Sequence, residues 1–193
     1  MNDIDNLYKI YYDKYLSIEN ISKYRIPLMG LINGNELLFV GQNPGAPFKK
    51  EHHEQFSNFT SLSYNEQQAL FKSSWVQSLF IKFIIKICDS IDIDFNKNVS
   101  VTNIVKYWTA NNARPLVTSD DKKLLACEIK IINPKCVIFL SRYAYTNFEH
   151  KDKFNIQFLS YDHPAAHYYS EKYMKSIANN LRTTLYGKET TEK

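Results

Sequence analysis

Three short strand-like stretches constrain this chain more than any other feature: Leu37-Leu38-Phe39-Val40, the stretch around Val99 to Ile104, and Cys136-Val137-Ile138-Phe139-Leu140. Each is too short for a buried helix and gives way to turn-forming or polar residues, so each reads as a strand, and the unbroken apolar run Leu37 to Val40 reads as one covered on both faces. The segments between them have helical length and period. Ile4, Leu7, Ile10, Tyr11 and Leu16 recur at three- and four-residue steps, a helical stretch begins near Tyr64, and Trp75 to Ile91 is strongly apolar. Ser119 and Asp120 are good caps before Lys122 to Ile132, which Pro134 stops. Arg142 to Glu149 reads as a short helix and Phe154 to Tyr161 as a fourth strand. In the closing helix, Ser170 to Tyr186, Tyr173, Ile177, Leu181 and Leu185 share one face. Strands alternating with helices predict a three-layer α/β/α domain around a central four-stranded parallel sheet.

A chain of 193 residues buries one substantial core and is short for two. We expect a single domain over 1–193, with an N-terminal helical segment over 1–30 and a frayed tail after Gly187. The net charge of +4 suits a polyanionic partner without requiring one. Asp3 and Asp5 stand where a secretion signal needs basic residues, and Ile81 to Cys88 is interrupted by Lys82 and Lys86. These features predict a cytoplasmic protein with no membrane span, and a monomer is expected. Cys88, Cys127 and Cys136 are odd in number and lack CxxC spacing, which predicts reduced, buried thiols. His52-His53 and the pair His163 and His167 have no supporting ligand spacing, so neither a metal nor another cofactor is expected.

Three polar segments follow the strand-like runs, and in a parallel sheet all three gather at its carboxyl edge, where open α/β folds bind ligands. Gly41-Gln42-Asn43-Pro44-Gly45 is built to turn sharply and bring backbone N–H groups close to a ligand. The amide of Asn43 orients a water but is no base at neutral pH. Asn103, within Val101-Thr102-Asn103-Ile104-Val105-Lys106, offers a donor and an acceptor to a polar ligand, and a turn asparagine fits the position equally well. His163-Pro164-Ala165-Ala166 places an imidazole at the mouth of the same edge. Lys49, Lys50, Lys106, Arg114 and Arg142 flank these segments and are candidates for phosphate contacts.

Together the three segments resemble the uracil-DNA glycosylase superfamily. The first shares Gly41-Gln42 with the classical enzymes, Gly-Gln-Asp-Pro-Tyr, and Asn43-Pro44-Gly45 with the single-strand-selective and mismatch-specific families, Gly-x-Asn-Pro-Gly. Asn103 to Lys106, followed by Asn111-Asn112-Ala113-Arg114-Pro115, is similar to the Asn-x-x-Lys and Asn-Arg-x-Pro stretch of the iron–sulfur members, whose His-Pro-Ala-Ala word matches residues 163–166. The likeness implies catalytic roles for Asn43 and His163, the latter donating to pyrimidine O2 as the base departs. It implies substrate contacts from Gln42, Gly45, Asn103 and a stacking Phe56, with Phe48 and Phe59 as rivals for the stacking role. Gly45, where the classical family has a tyrosine against pyrimidine C5, leaves room for a substituent. DNA would be met by Lys106, Arg114 and Arg142, with His167 or Tyr168 either the wedge that fills the gap of a flipped nucleotide or plain loop surface. Tyr107 stands where the iron–sulfur members place a cysteine, so no cluster is expected.

The implied activity is a monofunctional DNA glycosylase that flips uracil or a C5-modified pyrimidine and hydrolyses its N-glycosidic bond. Excision of hydroxymethylated or glucosylated cytosine from phage DNA in antiviral defence is an alternative, as is an inactive DNA-binding or replication-accessory protein of the same fold.

Overall fold

The computed structural model describes residues 3–16, 30–43, 75–106 and 114–187, with isolated positions at 63, 66, 69 and 73. Helix α1 (Asp3–Leu16) precedes a two-residue strand β1 (Leu31–Ile32) and strand β2 (Leu37–Gly41). Helix α2 (Leu79–Asp89), the single-turn α3 (Phe95–Asn98) and strand β3 (Val99–Asn103) follow. Next come α4 (Ser119–Ile132), β4 (Cys136–Phe139), α5 (Arg142–Asn147), β5 (Gln157–Ser160), a 3-10 turn over Pro164–His167, and α6 (Glu171–Tyr186).

The sheet runs in the order β1-β3-β2-β4-β5. The four strands expected from sequence pair in parallel, while β1 is an antiparallel fifth at the edge, with Leu31 opposite Val101 and Ile32 opposite Ser100. The expected four-stranded parallel sheet is thus a mixed sheet of five. Two residues between Gly30 and Asn33-Gly34 carry no measurable period, which is why the extra strand escaped the sequence pattern.

Alternation along the strands divides the core in two. Leu37, Phe39, Val99, Val101, Cys136 and Ile138 face α2 and α6, packing with Ile81, Ile84, Ile177 and Leu181. Leu38, Val40, Val137 and Phe139 face α1 and α4, packing with Ile4, Tyr8, Leu124, Leu125 and Ile129. Both faces are covered, and β2 and β4 accordingly carry continuous apolar runs.

Local signals fix the helix ends. Ser78 accepts from the Ile81 N–H and starts α2 later than the apolar pattern suggested. Thr118, rather than Ser119 or Asp120, caps α4 in a capping box with Asp121. Asn133 ends that helix at φ 49°, in the left-handed conformation asparagine tolerates. Ser170 caps α6. Cys88 and Cys136 are buried, with burial pushing each thiol up to about 12, but Cys127 is exposed on α4 and corrects the expectation of three buried thiols. The helical stretch from Tyr64 lies largely outside the described residues, as do 17–29 of the expected N-terminal segment and 188–193 of the tail. Among the described residues no helix is long and apolar enough to cross a membrane.

Candidate functional site

The carboxyl ends of β2 and β3 finish in register, Gly41 opposite Asn103. The ladder continues one step beyond them, with the Ile104 N–H donating to Gly41 O at 3.0 Å and the Val105 N–H to Gln42 O at 3.1 Å. The first two sequence segments therefore leave the sheet side by side. Gly41 is required here by space rather than by backbone angle: a Cβ would collide with Asn103 Oδ1 and come within 3.3 Å of Phe80 Cζ. The absent side chain lets the Asn103 amide lie over the strand end.

Asn103 is 3% exposed, and its Nδ2 has no hydrogen-bond partner among the described residues. A buried amide left half-satisfied is rare in a folded protein. Asn43, half-buried, sits two residues past Gly41, with its Oδ1 accepting from Gln42 Nε2 at 3.3 Å.

The third segment reaches the same place through one aromatic ring. Phe80, at the first turn of α2, stacks on His163 with centroids 5.6 Å apart and planes 13° from parallel. Phe80 thus touches the glycine of the first segment and the imidazole of the last. His163 Nδ1 accepts from the Ala165 N–H at 3.2 Å, which leaves the ring proton on Nε2. Burial holds this imidazole below the ordinary histidine range. The group presented is a neutral N–H donor.

After the Pro164–His167 turn, Tyr168 and Tyr169 both adopt positive φ, 50° and 52°. Tyr169 packs edge-on against Phe83, whereas Tyr168 is 93% exposed. His167 is stacked on Tyr173 at 3.9 Å and lies 3.4 Å from Asp162 Oδ2. Of the two wedge candidates, one ring is engaged by its own protein and the other projects into solvent. Arg142 Nε pairs with Asp162 at 2.7 Å, and Arg114 lies over Tyr143, whose hydroxyl donates to Pro115 O at 2.6 Å. These contacts join α5, the 114–117 segment and the 162–168 segment into one rim.

Lys106 corrects its expected phosphate-contacting role. It is fully buried, its ammonium 2.6 Å from Glu128 Oε2, and a side chain sealed inside the protein does not meet a phosphate. Gly45 and Phe56 lie outside the described residues, as do Phe48, Phe59, Lys49, Lys50, His52, His53 and Tyr107. Phe80 was missed in the sequence because it merges with the apolar pattern of α2; its one signal is a ring two residues past the capping Ser78. Among the described residues no three His, Cys, Asp or Glu side chains gather as a metal site would need.

No curated protein matches the chain. The family model for the uracil DNA glycosylase superfamily does, over residues 29–182, a span that holds every described strand of the sheet and all three converging segments. A match over most of the chain's length settles its ancestry: the chain belongs to the uracil DNA glycosylase superfamily.

Proposed function

We propose that the protein is a monofunctional DNA glycosylase that releases a uracil-like pyrimidine. The observation that carries this reading is the buried, half-satisfied amide of Asn103 beside Gly41, linked through Phe80 to a neutral His163. An unsatisfied Nδ2–H is a donor for a carbonyl at pyrimidine C4, and favours uracil or a C5-substituted uracil over cytosine, which presents an amine there. His163 Nε2–H donates to O2. As the C1′–N1 bond breaks, its electron pair stays with the base, and the hydrogen bond strengthens as charge grows on O2, lowering the barrier rather than merely tightening binding. Water adds its oxygen to C1′ and gives up a proton to solvent or to the departing base. Asn43 orients that water through its amide and takes no proton.

Tyr168 is the wedge on this reading, because it projects from the rim on a short, doubly left-handed turn, while Arg114 and Arg142 meet phosphates. Lys106 is sealed in an ion pair and no lysine stands in a motif position expected of a Schiff-base nucleophile, so strand cleavage is not expected. Gly45 favours a second reading, in which the excised base carries a bulky C5 substituent, as modified phage cytosines do. Mass spectrometry of bases released from duplexes containing uracil, 5-hydroxymethyluracil, hydroxymethylcytosine or glucosylated cytosine tests both. Release of uracil-type bases supports the first and release confined to modified cytosines the second. Binding of every duplex alike, with no base released and no alkali-labile site formed, refutes both in favour of a DNA-binding protein without activity.

A further inference from the structure

We propose that Lys106, through its ion pair with Glu128, is a positioning residue for Asn103, fixing the carboxyl end of β3 where base recognition needs it; this rests on the glycosylase reading above. All three ammonium protons are used: Nζ lies 2.6 Å from Glu128 Oε2, 2.5 Å from Thr102 Oγ1 and 2.5 Å from the main-chain oxygen of Asn103. Glu128 Oε1 accepts from Tyr8 Oη at 2.6 Å and from Thr102 Oγ1 at 2.9 Å. None of these groups is more than 3% exposed. The network ties α1 and α4 to the last two residues of β3.

Its placement points to a role beyond filling space. Strand alternation turns Thr102 towards the α1 and α4 layer and Asn103 towards the α2 and α6 layer. Lys106 therefore holds, from one face, the main chain of the residue whose amide works on the other. Among the described residues β1 pairs with β3 at Ser100 and Val101, and it is the Lys106 ammonium that bonds the Asn103 carbonyl beyond them. Burial presses Lys106 below the usual lysine range while the Glu128 carboxylate opposes that shift. A buried ion pair of this kind is often replaceable by apolar side chains without loss of stability. What an apolar pair would not replace is the hydrogen bond to Asn103.

A double-mutant cycle on the full chain tests this. Lys106→Met with Glu128→Gln removes both charges together and is expected to lower kcat/KM on a uracil-containing duplex by about 10–100-fold. Added to Asn103→Ala, the same pair of changes is expected to cost less than about threefold more, because the residue it positions is already gone. Losses that multiply independently overturn the proposal. Should that variant show no cooperative melt, Thr102→Val, which deletes the hydroxyl shared by Lys106 and Glu128, takes its place in the cycle. A readout independent of activity accompanies both: the Asn103 side-chain amide signal in 15N NMR shifts in the variant while that of Asn33, bonded to Phe95 O elsewhere, stays put. An unmoved Asn103 signal overturns the positioning role. Wild-type protein that releases no base, with the NMR shift present, instead counts against the glycosylase reading alone.

Discussion

Gly41→Ala isolates the cleft from the rest of the fold. The added methyl would strike Asn103 Oδ1 and press Phe80 Cζ, 3.3 Å away, while Gly41 itself has no positive φ for a side chain to strain. Both neighbours can yield, the amide by rotation and the ring by a few tenths of an ångström, so the stability cost stays near 1 kcal/mol, the low end for overpacking. The cost to recognition is larger. A turned amide forfeits two hydrogen bonds to the pyrimidine edge, each contributing about 1–1.5 kcal/mol. Together these give about 2–3 kcal/mol, or roughly a 30- to 150-fold loss in kcat/KM. Gly34→Ala is the control: its methyl would run into the backbone of Lys97 and Asn98, far from the cleft in sequence and at the opposite end of β3. We expect that change to lower the unfolding free energy by about 1–3 kcal/mol, seen as a lower urea midpoint, while the folded protein keeps its kcat/KM. Single-turnover base release and urea denaturation on the two variants decide the matter. Wild-type turnover in Gly41→Ala, or equal activity losses in the two, would refute the argument that the Gly41–Asn103 contact shapes a base-reading surface.

Removing the imidazole with His163→Ala is expected to lower kcat by about 10²- to 10³-fold with little change in KM, the signature of a donor used mainly in the transition state. Since burial holds His163 below its ordinary pKa of about 6.5, the unfolded chain takes up the extra proton first as pH falls. The stability linked to His163 is therefore complete above about pH 6.5 and drains as pH drops from there towards the folded value, and the urea midpoint of His163→Gln should lack that part of the decline. Tyr168→Gly relieves a left-handed tyrosine at φ 50° without removing buried surface, so stability is expected to hold or rise by up to about 1 kcal/mol while excision from duplex falls at least tenfold and excision from single strands falls less. Equal excision from the two substrates would remove Tyr168 from the wedge position. Arg142→Ala should reduce the slope of log affinity against log salt by about one, as loss of a single phosphate contact does; an unchanged slope would assign Arg142 to Asp162 alone.

The parts legible in the sequence are those where one physical requirement acts on several adjacent residues. Burial on both faces writes β2 and β4 as unbroken apolar runs, and α6 shows its buried stripe because Ile177 and Leu181 stand one turn apart. The convergence of three distant segments followed from parallel strands ending at one edge. The rest depended on single residues whose usual behaviour is reversed. Lysine is almost never fully buried, so Lys106 read as a candidate phosphate contact, and nothing in the sequence paired it with Glu128. Phe80 read as core because nothing local separates a ring that packs inward from one that reaches a neighbouring loop. Strand β1 is set by its pairing with β3 rather than by its own two residues.

The end of β3 shows why one short strand serves both faces of the sheet. Period-two alternation delivers Ser100 and Thr102 to one layer and Val101 and Asn103 to the other, so the last two positions present polar groups in opposite directions. An amide presented to a cleft needs a backbone that does not yield when the amide is loaded. Among the described residues the pairing with β1 covers Ser100 and Val101, and a buried carbonyl left without a partner costs about 1–3 kcal/mol. An ammonium answers that need in a way a hydroxyl cannot, since its three protons bind the carbonyl, the neighbouring threonine and a carboxylate at once. The carboxylate in turn is held by Tyr8 from α1, which makes the first helix of the chain part of the support for a side chain nearly a hundred residues later.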